Sequence, residues 1–280
     1  AKHEVTNGAY LEFVMDDGYA NPDHWDCPTT IDGVEYPCEE LIAMFQDKTG
    51  RRGPANWEYS KPPQGQEDFP VTGISWFEAR AFAHFKGMEL PTVHQWAKAA
   101  SLGSSSLFVP NSNFSKNQLQ NVGDSATMNP QGMFDIAGNA REWTHNGAGG
   151  DDKALLGGCY LDDDYIFNDY YSQPAIDRSI ANGMRLVHNL DDTKRYAAAY
   201  EPVFVEERDF LSLPGVSDDV FAIYRAQFEG YNPTLSNSVE TVPLPAAGSV
   251  VVERVEMTDI GNDPEEILPA YIFYDSNLPK

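Results

Sequence analysis

A chain of 280 residues, 41% hydrophobic and 12% aromatic, can bury one large core or two smaller ones, which excludes a disordered polymer. Its 43 acidic against 19 basic residues give a formal charge of −24, which argues against nucleic acid and anionic membranes as partners, since both require clustered Lys and Arg. No apolar run approaches a membrane span, and the opening "AKHEVTNGAY" lacks a signal-peptide pattern; it reads as the interior of a domain, from a mature product or an excised fragment.

The first predicted element is a helix over "TNGAYLEFVMD", residues 6–16, with Thr6 or Asn7 as cap and Tyr10, Phe13 and Val14 on one face. Cys27 and Cys38 flank "PTTIDGVEYP", where Asp32-Gly33 marks the tip of a small hairpin that would bring the two thiols together. A disulfide in an oxidising compartment is the favoured reading, with two free thiols as its alternative, and Cys159 is left over. A second helix is expected over residues 38–49, ended by Gly50. The third, "SWFEARAFAHFKG", has Ser75 and Glu78 as a capping box and Gly87 as its stop. A fourth, "LPTVHQWAKAAS", is capped by Thr92 and carries Trp96 and Ala100 on one face.

Residues 101–133 read as loop, followed by short strands around 155–161 and 183–188. The grammar changes near residue 190, and a boundary at about 195 separates residues 1–195 from 196–280. In the second part "VSDDVFAIYRAQFEG" is a helix from Ser217 to Gly230, with Val220, Tyr224 and Phe228 along one stripe. "SVVVERVEMTDI" and "PAYIFYD" then read as two strands, and this part looks too small to close a core alone.

Five blocks in order, "EVTNGAYLEFV", "DFPVTGISWFEARAFAHFKGMELPTVHQWAKAA", "NPQGMFDIAGNAREW", "LLGGCY" and "NGMRLV", resemble the formylglycine-generating enzyme (sulfatase-modifying factor) family over residues 3–188. The resemblance implies an α+β fold, a loop-rich variant of the C-type lectin fold with a small twisted antiparallel sheet, here extended by a C-terminal helix and β-hairpin. Trp76, Trp96 and Trp143 would then be core aromatics. The stretch from residue 28 to residue 76 is most similar to the version of this domain found in bacterial proteins that also carry a Ser/Thr kinase. Residues 216–274 resemble the linker and first strands before the hydrolase-like region of such proteins. No G-x-S-x-G nucleophile elbow occurs in the sequence, so the C-terminal part reads as a bridge.

The resemblance implies a structural Ca2+ held by the Asp135 side chain, the Gly138 and Ala140 carbonyls and the Glu142 side chain, an oxygen set suited to a hard dication. The alternative is that Asp135 and Glu142 cap local backbone or pair with Arg141 or Arg185. A second calcium site of the family would use Asn113 and Phe114, but its loop is shortened here and no acidic partner stands in register. Catalytic members bind Cu(I) through two thiolates, and aligning on Gly157-Gly158 places Asp162 and Phe167 at those positions. Neither is a soft ligand, so copper is not expected and no catalytic residue is assigned. Cys159 reads as a small core residue. His84, His94, His145 and His188 show no metal-binding spacing, and His84 reads as a packing residue. Arg185 is expected to pair with a buried carboxylate such as Glu142 or Glu78.

Function is expected at a groove formed by Asp162, Asp163, Asp164, Tyr165, Asp169 and Tyr170, where aromatics interleave with carboxylates as suits a basic peptide, a glycan or another cationic molecule. A solvated acidic loop is the competing reading. The leading expectation is a non-catalytic recognition module, an extracytoplasmic (periplasmic or cell-surface) part of a kinase-containing protein. The alternatives are an oxidase with altered metal chemistry and a spacer for a downstream hydrolase-like region.

Overall fold

The computed structural model describes residues 1–125, 127–190, 193–203, 214–226, 234–242, 250–258 and 268–275. The chain divides into two compact units, Ala1–Glu206 and Glu207–Lys280.

In the first unit α1 (Asn7–Met15) starts where the Thr6 hydroxyl accepts the Ala9 amide at 3.1 Å, and it buries Tyr10 and Phe13. The hairpin β1 (Thr29–Ile31) and β2 (Val34–Tyr36) turns at Asp32-Gly33, whose φ values of 50° and 77° are the left-handed pair such a tight turn requires. Cys27 and Cys38 are joined by a disulfide across its base.

The next helix, α2 (Cys38–Ala43), has six residues and is shorter than predicted. Asp47 explains the stop: one carboxylate oxygen accepts the Thr49 and Arg51 amides at 2.7 and 3.0 Å, and the other accepts the Ser60 amide at 2.7 Å. These bonds wind the chain into a compact loop instead of continuing the helix.

The helices α3 (Trp76–Phe85) and α4 (Val93–Ala100) both begin with a capping box, Ser75 with Glu78 and Thr92 with Gln95. Between and beside them lies a four-stranded sheet of order β5-β4-β3-β6, built from β3 (Arg141–Gly147), β4 (Asp152–Leu156), β5 (Tyr171–Pro174) and β6 (Asn182–Met184). Three strands run antiparallel in the chain of pairings β3-β4-β5, while β6 lies parallel to β3. Alternation along β3 and β4 divides the core. Trp143 and Leu155, paired in register, join a cluster with Tyr10, Phe13, Phe45, Trp57 and Phe82. On the other face Leu156 joins Trp96, Phe108, Phe114, Ile136 and Phe167.

All five tryptophans are buried, and every indole N–H has an acceptor: Trp25 donates to Gly18 O, Trp57 to Asn7 Oδ1, Trp76 to Thr144 O, Trp96 to Glu142 Oε2 and Trp143 to Ile74 O, at 2.8–3.1 Å. The expected assignment of Trp76, Trp96 and Trp143 to the core agrees with this packing. Past residue 190, Asn146 Nδ2 donates to the Ala199 and Glu201 carbonyls at 2.9 and 2.7 Å, and the Val203 amide donates to Gly147 O at 2.8 Å.

In the second unit α5 (Asp218–Ala226) begins with the Phe221 amide donating to Ser217 O at 2.9 Å; the expected stop at Gly230 and the stripe residue Phe228 lie outside the described residues. A three-stranded antiparallel sheet follows, order β7-β8-β9, from β7 (Thr234–Val242), β8 (Val250–Thr258) and β9 (Leu268–Asp275). It has one strand more than the predicted hairpin. The added strand, "TLSNSVETV", lacks the apolar alternation that marked the other two.

Candidate functional site

The paired glycines after β4 turn the chain toward the acidic loop. Gly157 and Gly158 have φ of 94° and 68°, and a Cβ on Gly158 would lie 2.6 Å from the Phe114 ring, so a side chain there would strain the backbone and displace the ring. Cys159 follows, fully buried against Tyr160, Ala181 and Leu119. Burial pushes its thiol pKa up to about 11, which keeps it protonated and non-nucleophilic at neutral pH.

Asp162 points inward. Its carboxylate receives the Arg141 guanidinium through Nε at 3.0 Å and through Nη2, and also the Cys159 amide at 2.9 Å. Arg141 in turn stacks over the Tyr171 ring, 4.2 Å from its centroid. Phe167 is buried between Trp96 and Phe108, with ring centroids 5.9 and 5.5 Å away. The two positions that the family resemblance implies for copper-binding thiolates therefore hold an ion-paired carboxylate and a core phenyl ring. This donor set does not fit Cu(I).

The rest of the loop faces outward. Asp163, Asp164 and Asp169 are exposed, and Tyr165 is 77% exposed. Asp163 accepts a hydrogen bond from the Ser115 hydroxyl at 3.0 Å. Asp164, Tyr165, Phe167 and Asn168 line one shallow cavity of about 230 Å3, and Asn168, Asp169, Tyr170 and Tyr171 line another of about 480 Å3. Of the six residues expected to form the groove, Asp162 is turned into the protein and tied to a cation and Tyr170 packs against the second core cluster; the other three aspartates lie on the surface.

The segment Asp135–Glu142 is buried except for the half-buried Arg141. Asp135, with φ of 50°, accepts from the Gly123 amide and the Ser125 hydroxyl. Gly138 sits so close to Asn113 that a Cβ would lie 2.5 Å from its carbonyl oxygen. Glu142, 1% exposed, accepts Trp96 Nε1 at 2.8 Å and a bidentate Arg185 fork at 2.8–3.1 Å. Arg185 was expected to find Glu142 or Glu78; it takes Glu142, while Glu78 is paired with Arg178 at 2.8 Å. A third carboxylate, Glu4, accepts Asn139 Nδ2 at 2.8 Å and the Ala140 amide at 3.0 Å. Burial first, then the charges of Asp135 and Glu142, holds its carboxyl well above the ordinary range.

Calcium is the ion this fold family implies here. Glu142 is ion-paired with Arg185, Asp135 accepts from Gly123 and Ser125, and no donor among the described residues takes up the Gly138 or Ala140 carbonyl. These oxygens are of the kind a hard dication takes. No three Asp, Glu, His or Cys side chains among the described residues are placed to ligate one ion together, so the carbonyls would have to supply part of the shell. Glu142 would be shared with Arg185. At the second family position the Asn113 Oδ1 is buried and without a hydrogen-bond partner.

Sequence reasoning missed three participants: Arg141 as the partner of Asp162, Glu4 as a buried acid beside Asp135, and Lys153, discussed below. Each acts across 21 or more positions of sequence or through burial, and no local pattern marks such pairings. His84 is half-buried with Nδ1 2.8 Å from the His24 carbonyl, which agrees with a packing role.

A C-type-lectin-like α+β domain with a paired-glycine turn and a buried Glu–Arg–Trp cluster defines the class. Residues 1–190 match the Sulfatase-modifying factor enzyme 1-like domain, and the chain belongs to that family. It is 34% identical over 94 residues to Serine/threonine-protein kinase pkn1 of Chlamydia pneumoniae, covering 31% of this chain and 15% of the kinase. It is 25% identical over 197 residues to Inactive C-alpha-formylglycine-generating enzyme 2 of Bos taurus, covering 56% of this chain and 64% of that protein. The chain thus spans less than two thirds of either curated relative. Among solved structures, that of CarF superposes with a TM-score of 0.44 and 17% identity, over 68% of this chain and 85% of the other.

Proposed function

We propose that this domain is a non-catalytic recognition module that binds a cationic ligand, such as a basic peptide, at the loop Asp163–Tyr170. The observation that carries the reading is the conversion of the catalytic positions: Asp162 is locked to Arg141 and Phe167 is packed in the core, while three other aspartates and two tyrosines of the same loop face solvent or a shallow cavity. Carboxylates interleaved with aromatic faces attract ammonium and guanidinium groups by charge and by cation–π contact. A relative named inactive supports loss of catalysis in this family.

A calcium ion at Asp135, Gly138, Ala140 and Glu142 would pin the loop that precedes β3. The Cys27–Cys38 disulfide supports an oxidising, extracytoplasmic setting, and the kinase relatives support a place within a larger kinase-containing protein. No helix among the described residues is long and apolar enough to cross a membrane.

The test is calorimetric titration of the full chain with an oligo-lysine and an oligo-arginine peptide. Binding should weaken at least tenfold in Asp164→Asn combined with Tyr165→Ala, and should fall with added salt. Affinity that is unchanged in the double variant would remove the loop from the binding surface.

A further inference from the structure

The disulfide-tethered hairpin, the start of α3 and the strands β3 and β4 enclose a cavity of about 330 Å3, at the small end of the range for small-molecule sites. It shares no lining residue with the two cavities of the acidic loop. Its apolar wall is formed by Ile31, Phe77 and Ala175, all buried, beside the Trp76 indole. Its polar wall holds two acids and two cations, and they are not equally committed. Asp26 accepts Arg80 Nε at 2.8 Å, and Asp151 accepts the Asp32 amide. Arg80 also reaches Glu89 and, at 3.4 Å, His145 Nδ1; these bonds use Nε and Nη1 and leave Nη2 without a partner among the described residues.

Lys153 is different. Its ammonium sits 4.2 Å from the centroid of the Trp76 ring and forms no ion pair among the described residues. A half-buried ammonium that lies over an aromatic face and has no ion pair among the described residues has an unfilled need for an anion.

We infer that this cavity binds a small organic acid, its carboxylate received by the Lys153 ammonium and the Arg80 guanidinium and its apolar body lying against Ile31, Phe77 and Ala175. Asp26 is ion-paired with Arg80 and Asp151 accepts the Asp32 amide, whereas Lys153 has neither an ion pair nor a hydrogen bond among the described residues. The electrostatics agree. Burial lowers the Lys153 pKa first and the neighbouring Arg80 lowers it further, against Asp26 and then Asp151; a carboxylate placed on the ammonium would favour its charged form. His145, held neutral by burial and by Arg80 with a pKa lowered to about 4, adds no charge to the cavity at neutral pH.

The full chain would be titrated at neutral pH with butyrate, benzoate and inorganic phosphate, read by calorimetry and by the NMR signal of the Lys153 side-chain CH2 next to nitrogen. Saturable binding of butyrate or benzoate is expected, with a shift of that signal, a loss of at least tenfold in Lys153→Met and retention in Lys153→Arg. The wild-type NMR titration decides the matter even if Lys153→Met does not fold. Binding of phosphate as tight as that of the organic acids would overturn the organic-acid assignment, since the apolar wall would then contribute nothing. An unresponsive Lys153 signal, or an unchanged affinity in Lys153→Met, would overturn the site itself.

Discussion

Asp162 shows how one side chain redirects a site. A thiolate there would have been a soft ligand; the carboxylate instead recruits Arg141, and the guanidinium is held in place by the Tyr171 face. Removing the acid in Asp162→Ala leaves a partly buried arginine without its partner, and a loss of about 2–3 kcal/mol in urea denaturation is expected. Asp162→Asn should lose less, because the Cys159 amide can still find an acceptor. His145 supplies a test with the opposite character. Burial and Arg80 lower its pKa from 6.5 to about 4, so between those values the unfolded chain binds more protons than the folded one. Its contribution to stability is present above pH 6.5 and is lost as pH falls toward 4. An NMR titration should find the His145 ring neutral down to about pH 4, and an ordinary midpoint would contradict the burial described. Residue roles of this kind were only partly legible. Cys159 reads as a core residue in the sequence, whereas the core position of Phe167 was not foreseen and the inward turn of Asp162 depends on an arginine 21 positions away.

Elements were most legible where a cap and an apolar face coincide. Ser75 with Glu78 and Thr92 define α3 and α4 in the sequence as in the structure, because the capping bonds are local and need no tertiary partner. Legibility failed where a polar side chain competes with the helix. Asp47 gathers three backbone amides and ends α2 early, although the residues around it have ordinary helical propensity. The polar strand β3 was also missed. It is buried in the centre of its sheet and carries Glu142, Thr144 and Asn146, whose partners come from α4, β4, Arg185 just after β6 and the segment after residue 190. At this scale the disulfide is the testable feature. The hairpin it closes has little core of its own, and replacing both cysteines by serine should cost about 2–3 kcal/mol in reversible denaturation. A loss confined to the hairpin, seen as faster amide exchange of Thr29–Tyr36 with the rest unchanged, would show that the bridge guards one element.

Across the molecule, a formal charge of −24 is strongly self-repelling, and much of the first unit is irregular chain held by specific bonds. A calcium ion at Asp135 and Glu142 would relieve both conditions locally. Added calcium should raise the melting temperature over that in chelator, by an amount corresponding to about 2.7 kcal/mol when the ion is in hundredfold excess over its Kd. Asp135→Ala should abolish the response; a calcium shift that survives this change would place the ion elsewhere. The family itself was legible from five short blocks in order, because each encodes a cap, a glycine turn or a core pairing that the fold cannot do without.

The segment after Gly157-Gly158 carries Asp162 and Phe167 at the positions where the family resemblance implies a pair of catalytic thiolates. The most direct measurement is to incubate the purified full chain with a cysteine-containing sulfatase-derived peptide, copper(I), oxygen and a reductant, and to follow aldehyde formation by mass spectrometry. No conversion above the protein-free control is expected. Catalytic turnover of the peptide's cysteine to formylglycine would contradict the account at its centre.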